Sequence, residues 1–308
     1  MISIPRRFIL IIHGLCSCLL VASAQEERGT DILKGEVLEM GLSGVGAELS
    51  AILEQYYHAS HGGIYEWSKI QSFRAEGVLR MADGAIRFVA FKKKPNYCKI
   101  VVLGRQGPMY IGSYDGSETW QLLPLEADTP VPMPELEARD FIRDAGIGNH
   151  LLFANLEGKQ LELGAIEEVE GVLCRNITVV LPDGQELSYS LSLEDYSLRR
   201  QIVRNSLSGQ QEVTLYSDIR KISGVRVAFT SELYVEGELR HTVVFNRVEF
   251  NVGAMPWMFS TPSGAYMPGG LNIPAQNSQG VHQEGFGGLV PQAEEVSDGW
   301  GFQFDRAE

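Results

Sequence analysis

Apolar and polar residues alternate with a period of two along most of this chain, and short turn signals interrupt the alternation at regular intervals. "ELSYSLSL" is the clearest instance: Leu187, Tyr189, Leu191 and Leu193 alternate with Glu186, Ser188, Ser190 and Ser192. Successive side chains of extended backbone point to opposite faces, so this run describes a strand with one apolar and one wet face. Phe73, Ala75, Leu79 and Met81 likewise share a face whose reverse carries Arg74, Glu76 and Arg80. Asp83-Gly84, Asp115-Gly116, Asp183-Gly184, Ser208-Gly209 and Glu236-Gly237 are hairpin signals. Turns this short join antiparallel neighbours, which excludes a parallel sheet with crossover helices. The pattern predicts a mainly β chain, a meander of about 11 strands. A twisted sheet of that size curls into an open half-barrel, with helices left to cover its concave side.

Two segments carry the helical period instead. In "AELSAILEQYYHAS", residues 47–60, Leu49, Ile52, Leu53, Tyr56 and Tyr57 form one apolar stripe, and Gly62-Gly63 ends it. A second helical segment is predicted between about Pro134 and Asn155, with Phe141, Ile142, Leu151, Leu152 and Phe153 as its apolar content and Gly146 and Gly148 dividing it.

The chain opens with Arg6 and Arg7, an apolar run from Phe8 to Val21, and Ala22-Ser23-Ala24, the layout of a secretory signal removed near Ala24/Gln25. The apolar run is shorter than the roughly 20 residues of a spanning helix. Residues 1–24 are read as this signal peptide, 25–46 as a flexible leader, 47–267 as the half-barrel domain, and 268–308 as a disordered acidic, Gly-rich tail. The expected location is the periplasm. Loss of two arginines with the signal leaves 24 Lys and Arg against 39 Asp and Glu, a net charge of −15. Such a balance argues against nucleic acid and anionic lipid surfaces as partners. Cys98 and Cys174 remain, and the sequence leaves open whether they are separate core thiols or a disulfide.

The search for chemistry finds no G-x-S-x-G, no P-loop, no C-x-x-C and no H-E-x-x-H. His58 and His61 are too few to hold a metal and read as cations at a helix C-terminus. No catalytic residue, metal or cofactor is expected, which favours a binding protein.

Several stretches, in order, resemble the LolA family of periplasmic lipoprotein carriers and outer-membrane lipoprotein-sorting proteins. "YYHASHGG" followed by "WSKIQSFRAEGVL" resembles the entry helix and first strand, and "FKKKPN" a basic corner before Pro-Asn. "YDGSETWQLLP" resembles a hairpin of that family, and "WMFSTPSG" its closing strand, so that the likeness runs over about residues 48–264. It implies an open, highly curved antiparallel barrel whose apolar concave face, covered by helices as a lid, shelters acyl chains of lipoproteins or lipids. Envelope membrane proteins are further candidate partners, and a monomer is expected. Lys94 stands where the carriers have an arginine that fastens the lid, so it is the lid-latch candidate; Lys92 and Lys93 read as edge lysines. Candidates for the apolar lining are Phe73, Leu79, Phe88, Tyr110, Trp120, Leu187, Tyr189, Leu191, Phe229 and Phe245. The alternative is a non-catalytic envelope interaction or sensor module on the same fold, its concave side filled by its own side chains.

Overall fold

A computed structural model describes residues 42, 44–105, 107–154, 158–205 and 208–262. The signal peptide, most of the leader and the tail lie outside these residues. Helix α1 (Ala47–His61) and the short α2 (Ile64–Ser68) come first, then β1 (Ser72–Met81), β2 (Gly84–Lys93), β3 (Tyr97–Gly104), β4 (Gly107–Tyr114), β5 (Thr119–Leu122) and β6 (Val131–Pro132). Helix α3 (Glu135–Arg143) and an irregular stretch to residue 154 lead to β7 (Gln160–Val169), β8 (Val172–Val180), β9 (Glu186–Ser192), β10 (Leu198–Arg204), β11 (Gln211–Ile222), β12 (Val225–Val235) and β13 (Glu238–Phe250).

Among the described residues, 13 strands form one sheet in the order β6-β5-β4-β3-β2-β1-β13-β12-β11-β10-β9-β8-β7. Every pairing is antiparallel, and β1 joins β13 at the centre. The sheet stays open between β6 and β7. It has more strands than the period suggested; β5 and β6 have four and two residues, too few to show an alternation. The hairpins at Glu170-Gly171, Ser223-Gly224 and Glu236-Gly237 place both turn residues at positive φ, the backbone that matches the twist of the flanking strands.

The period of two survives in burial. β12 alternates without a break, with Val225, Val227, Phe229, Ser231, Leu233 and Val235 turned inward. Leu187, Tyr189 and Leu191 are fully buried on β9, but Ser190 and Ser192 on the reverse face are buried too. Ser190 Oγ donates to Asn176 of the adjacent β8 and to Glu167 of β7 beyond it, both on the face expected to be wet. Cys98 and Cys174 are both buried and are not joined in a disulfide.

Gly77 of β1 lies opposite Phe88 of β2 and Phe245 of β13. Those two rings, 6.0 Å apart between centroids, close over the glycine. A Cβ there would sit 2.5 Å from the Val244 carbonyl oxygen and 2.9 Å from the Phe88 ring. Gly77→Ala is therefore expected to lower the unfolding free energy by about 2 kcal/mol through overpacking. A urea midpoint equal to that of the parent protein would contradict this packing.

Candidate functional site

The concave face carries one large apolar cluster. Phe73, Leu79, Phe88, Tyr110, Leu187, Tyr189, Leu191, Phe229 and Phe245, nine of the ten lining candidates, belong to it. Trp120 does not. It packs with Ile111 and Leu122 on the other side of the sheet, where its indole N–H donates to the Phe259 carbonyl at 2.8 Å. The pleat decides this: Trp120 pairs with Ser113, whose hydroxyl donates to the same carbonyl. Lys99 donates to the adjacent Met258 carbonyl at 3.0 Å, and burial pushes its pKa down to about 7.

What covers the concave cluster is α1, α2, and the chain from Met133 to Ala154. Ala145, Ile147, Leu151, Leu152 and Ala154 sit in the cluster with Leu49, Leu53, Tyr56 and Tyr57 of α1. The stretch after α3 is largely irregular, so several of its carbonyls have no ladder partner and take a donor from elsewhere. Lys92 supplies two. Its ammonium, fully buried, donates to the carbonyls of Asp144 at 2.6 Å and Gly146 at 2.9 Å. Tyr57 Oη donates to the Leu151 carbonyl at 2.6 Å, and Lys159 Nζ to that of Leu152 at 3.2 Å. Asn149 Nδ2 donates to Tyr56 Oη at 2.6 Å.

Two lysines therefore reach the cover: Lys92, expected as an edge lysine, holds the chain after α3, and Lys94, the lid-latch candidate, holds α2. Phe88, Ala90 and Lys92 share the inward face of β2, as their pairing with Gly77, Ala75 and Phe73 shows. Lys94 lies beyond the strand and reaches the other cover element: it donates to the carbonyls of Trp67 at 3.1 Å and Ser68 at 3.2 Å, at the end of α2. Burial lowers its pKa to about 8. An extended count from Phe88 would have found Lys92; the adjacent lysines and proline concealed it.

Two other features depart from the reading of the sequence. His61 is no surface cation: its ring packs edge-on against Tyr56 and Trp67, and burial drives its pKa down to about 3. Beneath α3, beside the buried Phe141, lie buried charged groups. Arg143 binds Asp140 at 2.9 Å and Asp144 at 2.6 Å, with all three side chains nearly inaccessible. Ile142, counted among the apolar content, points outward.

A groove of about 380 Å³ runs between α1 and the ends of β8 and β9. Ala51, Ile52, Leu191, Leu193 and Tyr196 line it, and Arg175 faces Glu48 across it at 3.6 Å. Its size falls within the roughly 300–1,000 Å³ of small-molecule sites. Leu191 connects it to the lining of the concave face.

Compared with solved structures, the chain matches a LolA superfamily protein from Nitrosomonas europaea at 11% identity and a TM-score of 0.51, covering 69% of this chain and 97% of that one. The chain adopts a LolA-like fold. A DUF1329 family protein from Desulfovibrio piger matches at 14% identity and a TM-score of 0.48, again over 69% of this chain and 97% of that one. No family model matches the sequence, and no curated protein does.

Removing the ammonium of Lys92 strands two buried carbonyls, whereas removing that of Lys94 affects the end of α2. Lys92→Met should speed amide hydrogen exchange over residues 145–154 by about tenfold or more, and Lys94→Met should act over residues 64–69 instead. Equal protection of residues 145–154 in both variants would contradict this division between the two lysines.

Proposed function

We propose that the protein is a non-catalytic periplasmic carrier that shelters acyl chains of a lipid or lipoprotein against the concave face of the sheet. The observation that carries this reading is the cover. Residues 133–154 contribute α3, add no strand to the sheet, and press leucines and alanines onto an apolar lining while side chains from elsewhere fasten their carbonyls. An acyl chain offers the lining the same kind of contact as those leucines. Each methylene removed from water is worth about 0.8 kcal/mol, so such a chain needs a shelter to cross an aqueous compartment. The groove beside α1 is then the place where the lining reaches the surface.

A second reading keeps the fold and drops the cargo: an envelope interaction or sensor module. The observation in its favour is the extent to which the chain's own side chains occupy the concave side, together with the Arg143, Asp140 and Asp144 cluster buried there.

The two readings separate on cargo. Protein exported to a periplasm, purified without detergent and analysed by native mass spectrometry is expected to carry an acyl-chain adduct, and delipidated protein to bind a fluorescent fatty acid in a 1:1 complex. Protein that is empty on purification and fails to take up the fluorescent fatty acid would overturn the carrier reading in favour of the second.

A further inference from the structure

The open sheet ends in a long strand with a neighbour on one side only. β7 pairs with β8, and among the described residues no backbone group bonds to its other side. A strand directs its N–H and C=O groups alternately to left and right, so the free side of this ten-residue strand is a row of donors and acceptors open to pairing. The opposite edge, β6, is two residues long and includes a proline, and it offers no such row. Natural sheets blunt a free edge, and β7 has two such devices. One is a bulge: Leu163 pairs with Ile177 and Ile166 with Arg175, which leaves Gly164 and Ala165 opposite Asn176 alone. The regular runs are then 160–163 and 166–169. The other device is charge.

The two faces beside that edge differ. On the concave side Leu161 and Leu163 stand beside Val179 and Ile177 and pack against the apolar cluster. Past the bulge the same side continues with Ile166 and, on β8, Leu173, whose carbonyl accepts from the Leu193 N–H at 2.9 Å. Ile166, Leu173 and Leu193 are 48%, 57% and 39% exposed, an apolar rim that continues through Leu193 into the groove beside α1. On the outer side stand Glu162 and Glu167, while Glu168, beside Leu173, and Glu170 lie at the β7–β8 turn. Arg200 binds Glu167, and Arg175 is taken up by Glu48 and by the Gly164 carbonyl. Glu162, Glu168 and Glu170 are exposed, and none of them enters an ion pair among the described residues.

Charge decides what fits. A second copy laid against this edge would set glutamate against glutamate, and in residues 268–308 Arg306 stands alone against Glu284, Glu294, Glu295, Asp298, Asp305 and Glu308. We propose that β7 is a docking edge for an extended, basic segment of a partner protein, in which apolar residues alternate with lysine or arginine. The segment adds one strand to the sheet. Its backbone pairs with the free N–H and C=O groups, and its apolar side chains stand on the concave side beside Leu161, Leu163 and Ile166. Its cations stand on the outer side beside Glu162, and its end at the β7–β8 turn meets Glu168 and Glu170. The backbone bonds supply affinity for any extended chain, and the glutamates reject acidic ones. This surface goes beyond the carrier reading and does not depend on it, because the edge is free whether or not the concave face holds a ligand.

Fluorescence anisotropy of a fluorescein-labelled peptide, KIKVKIKV, titrated with the full mature chain tests the proposal. The controls are EIEVEIEV, which keeps the alternation and reverses the charge, and KIKVKIKV methylated at every backbone amide, which keeps the charge and loses the donors. Both controls are expected to bind at least about tenfold more weakly than the parent peptide. Leu173→Lys, and Glu162→Lys combined with Glu168→Lys, should each weaken KIKVKIKV by about tenfold without lowering the urea midpoint, because all three side chains are exposed. In the unaltered chain, amide exchange followed by NMR should slow by about tenfold or more within residues 160–169 on saturation with KIKVKIKV. Failure of KIKVKIKV to bind, equal binding of either control, or protection that falls outside residues 160–169 overturns the docking edge. So does protection of the free side of β7 before peptide is added: protection lost on dilution assigns the edge to a second copy, and protection independent of concentration assigns it to other residues of the same chain.

Discussion

A large sheet that curls without closing has an apolar inner face and nothing in the sheet to cover it. That constraint organises the rest of the molecule. α1 answers it with an apolar stripe, which needs no help because a helix satisfies its own backbone. The chain from Met133 to Ala154 answers it with irregular backbone, which brings unpaired carbonyls into a dry interior. Lys92, Tyr57 and Lys159 exist in the fold as donors for those carbonyls. The lysine that looks misplaced on an inward strand face is what allows the cover to lie there.

The same bonds define how the cover could leave. A neutral hydrogen bond contributes about 1 kcal/mol net, and one from a charged donor about 1.5–3 kcal/mol. The apolar contacts of Ile147, Leu151 and Leu152 with the lining are larger in sum, but an acyl chain replaces them in kind, at about 0.8 kcal/mol per methylene. Exchange of cover for cargo is close to neutral in hydrophobic terms. On the carrier reading, the polar fastenings set the preference for the closed form, and a ligand needs on the order of ten methylenes more than the cover supplies to offset them. Such a balance permits release as well as uptake.

Much of this was legible in the sequence because alternation and turn chemistry are local. The strands β1 and β9 and the first helix with its Gly62 cap in the left-handed region follow from period and spacing, which left open which face the lining candidates share. What stayed hidden depends on register between distant strands. Trp120 alternates correctly with its neighbours, but whether its face is concave or convex is set by β4 and by the Phe259 carbonyl, more than a hundred residues away in the chain. His61 reads as a helix-terminal cation until Trp67 folds back over it. The inward turn of His241 requires the bulge at Arg240, which only the pairing with β12 reveals.

The central claim is that the fastened cover moves aside for an acyl chain. Spin labels at Ile142 on the outer side of α3 and at Asn246 on the outer face of β13, with Cys98 and Cys174 replaced by alanine, report the distance between cover and sheet by pulsed electron resonance. The account predicts one narrow distance in the delipidated protein and a longer or broader distribution on saturation with palmitate. Palmitate bound in a 1:1 complex with an unchanged distribution would contradict it.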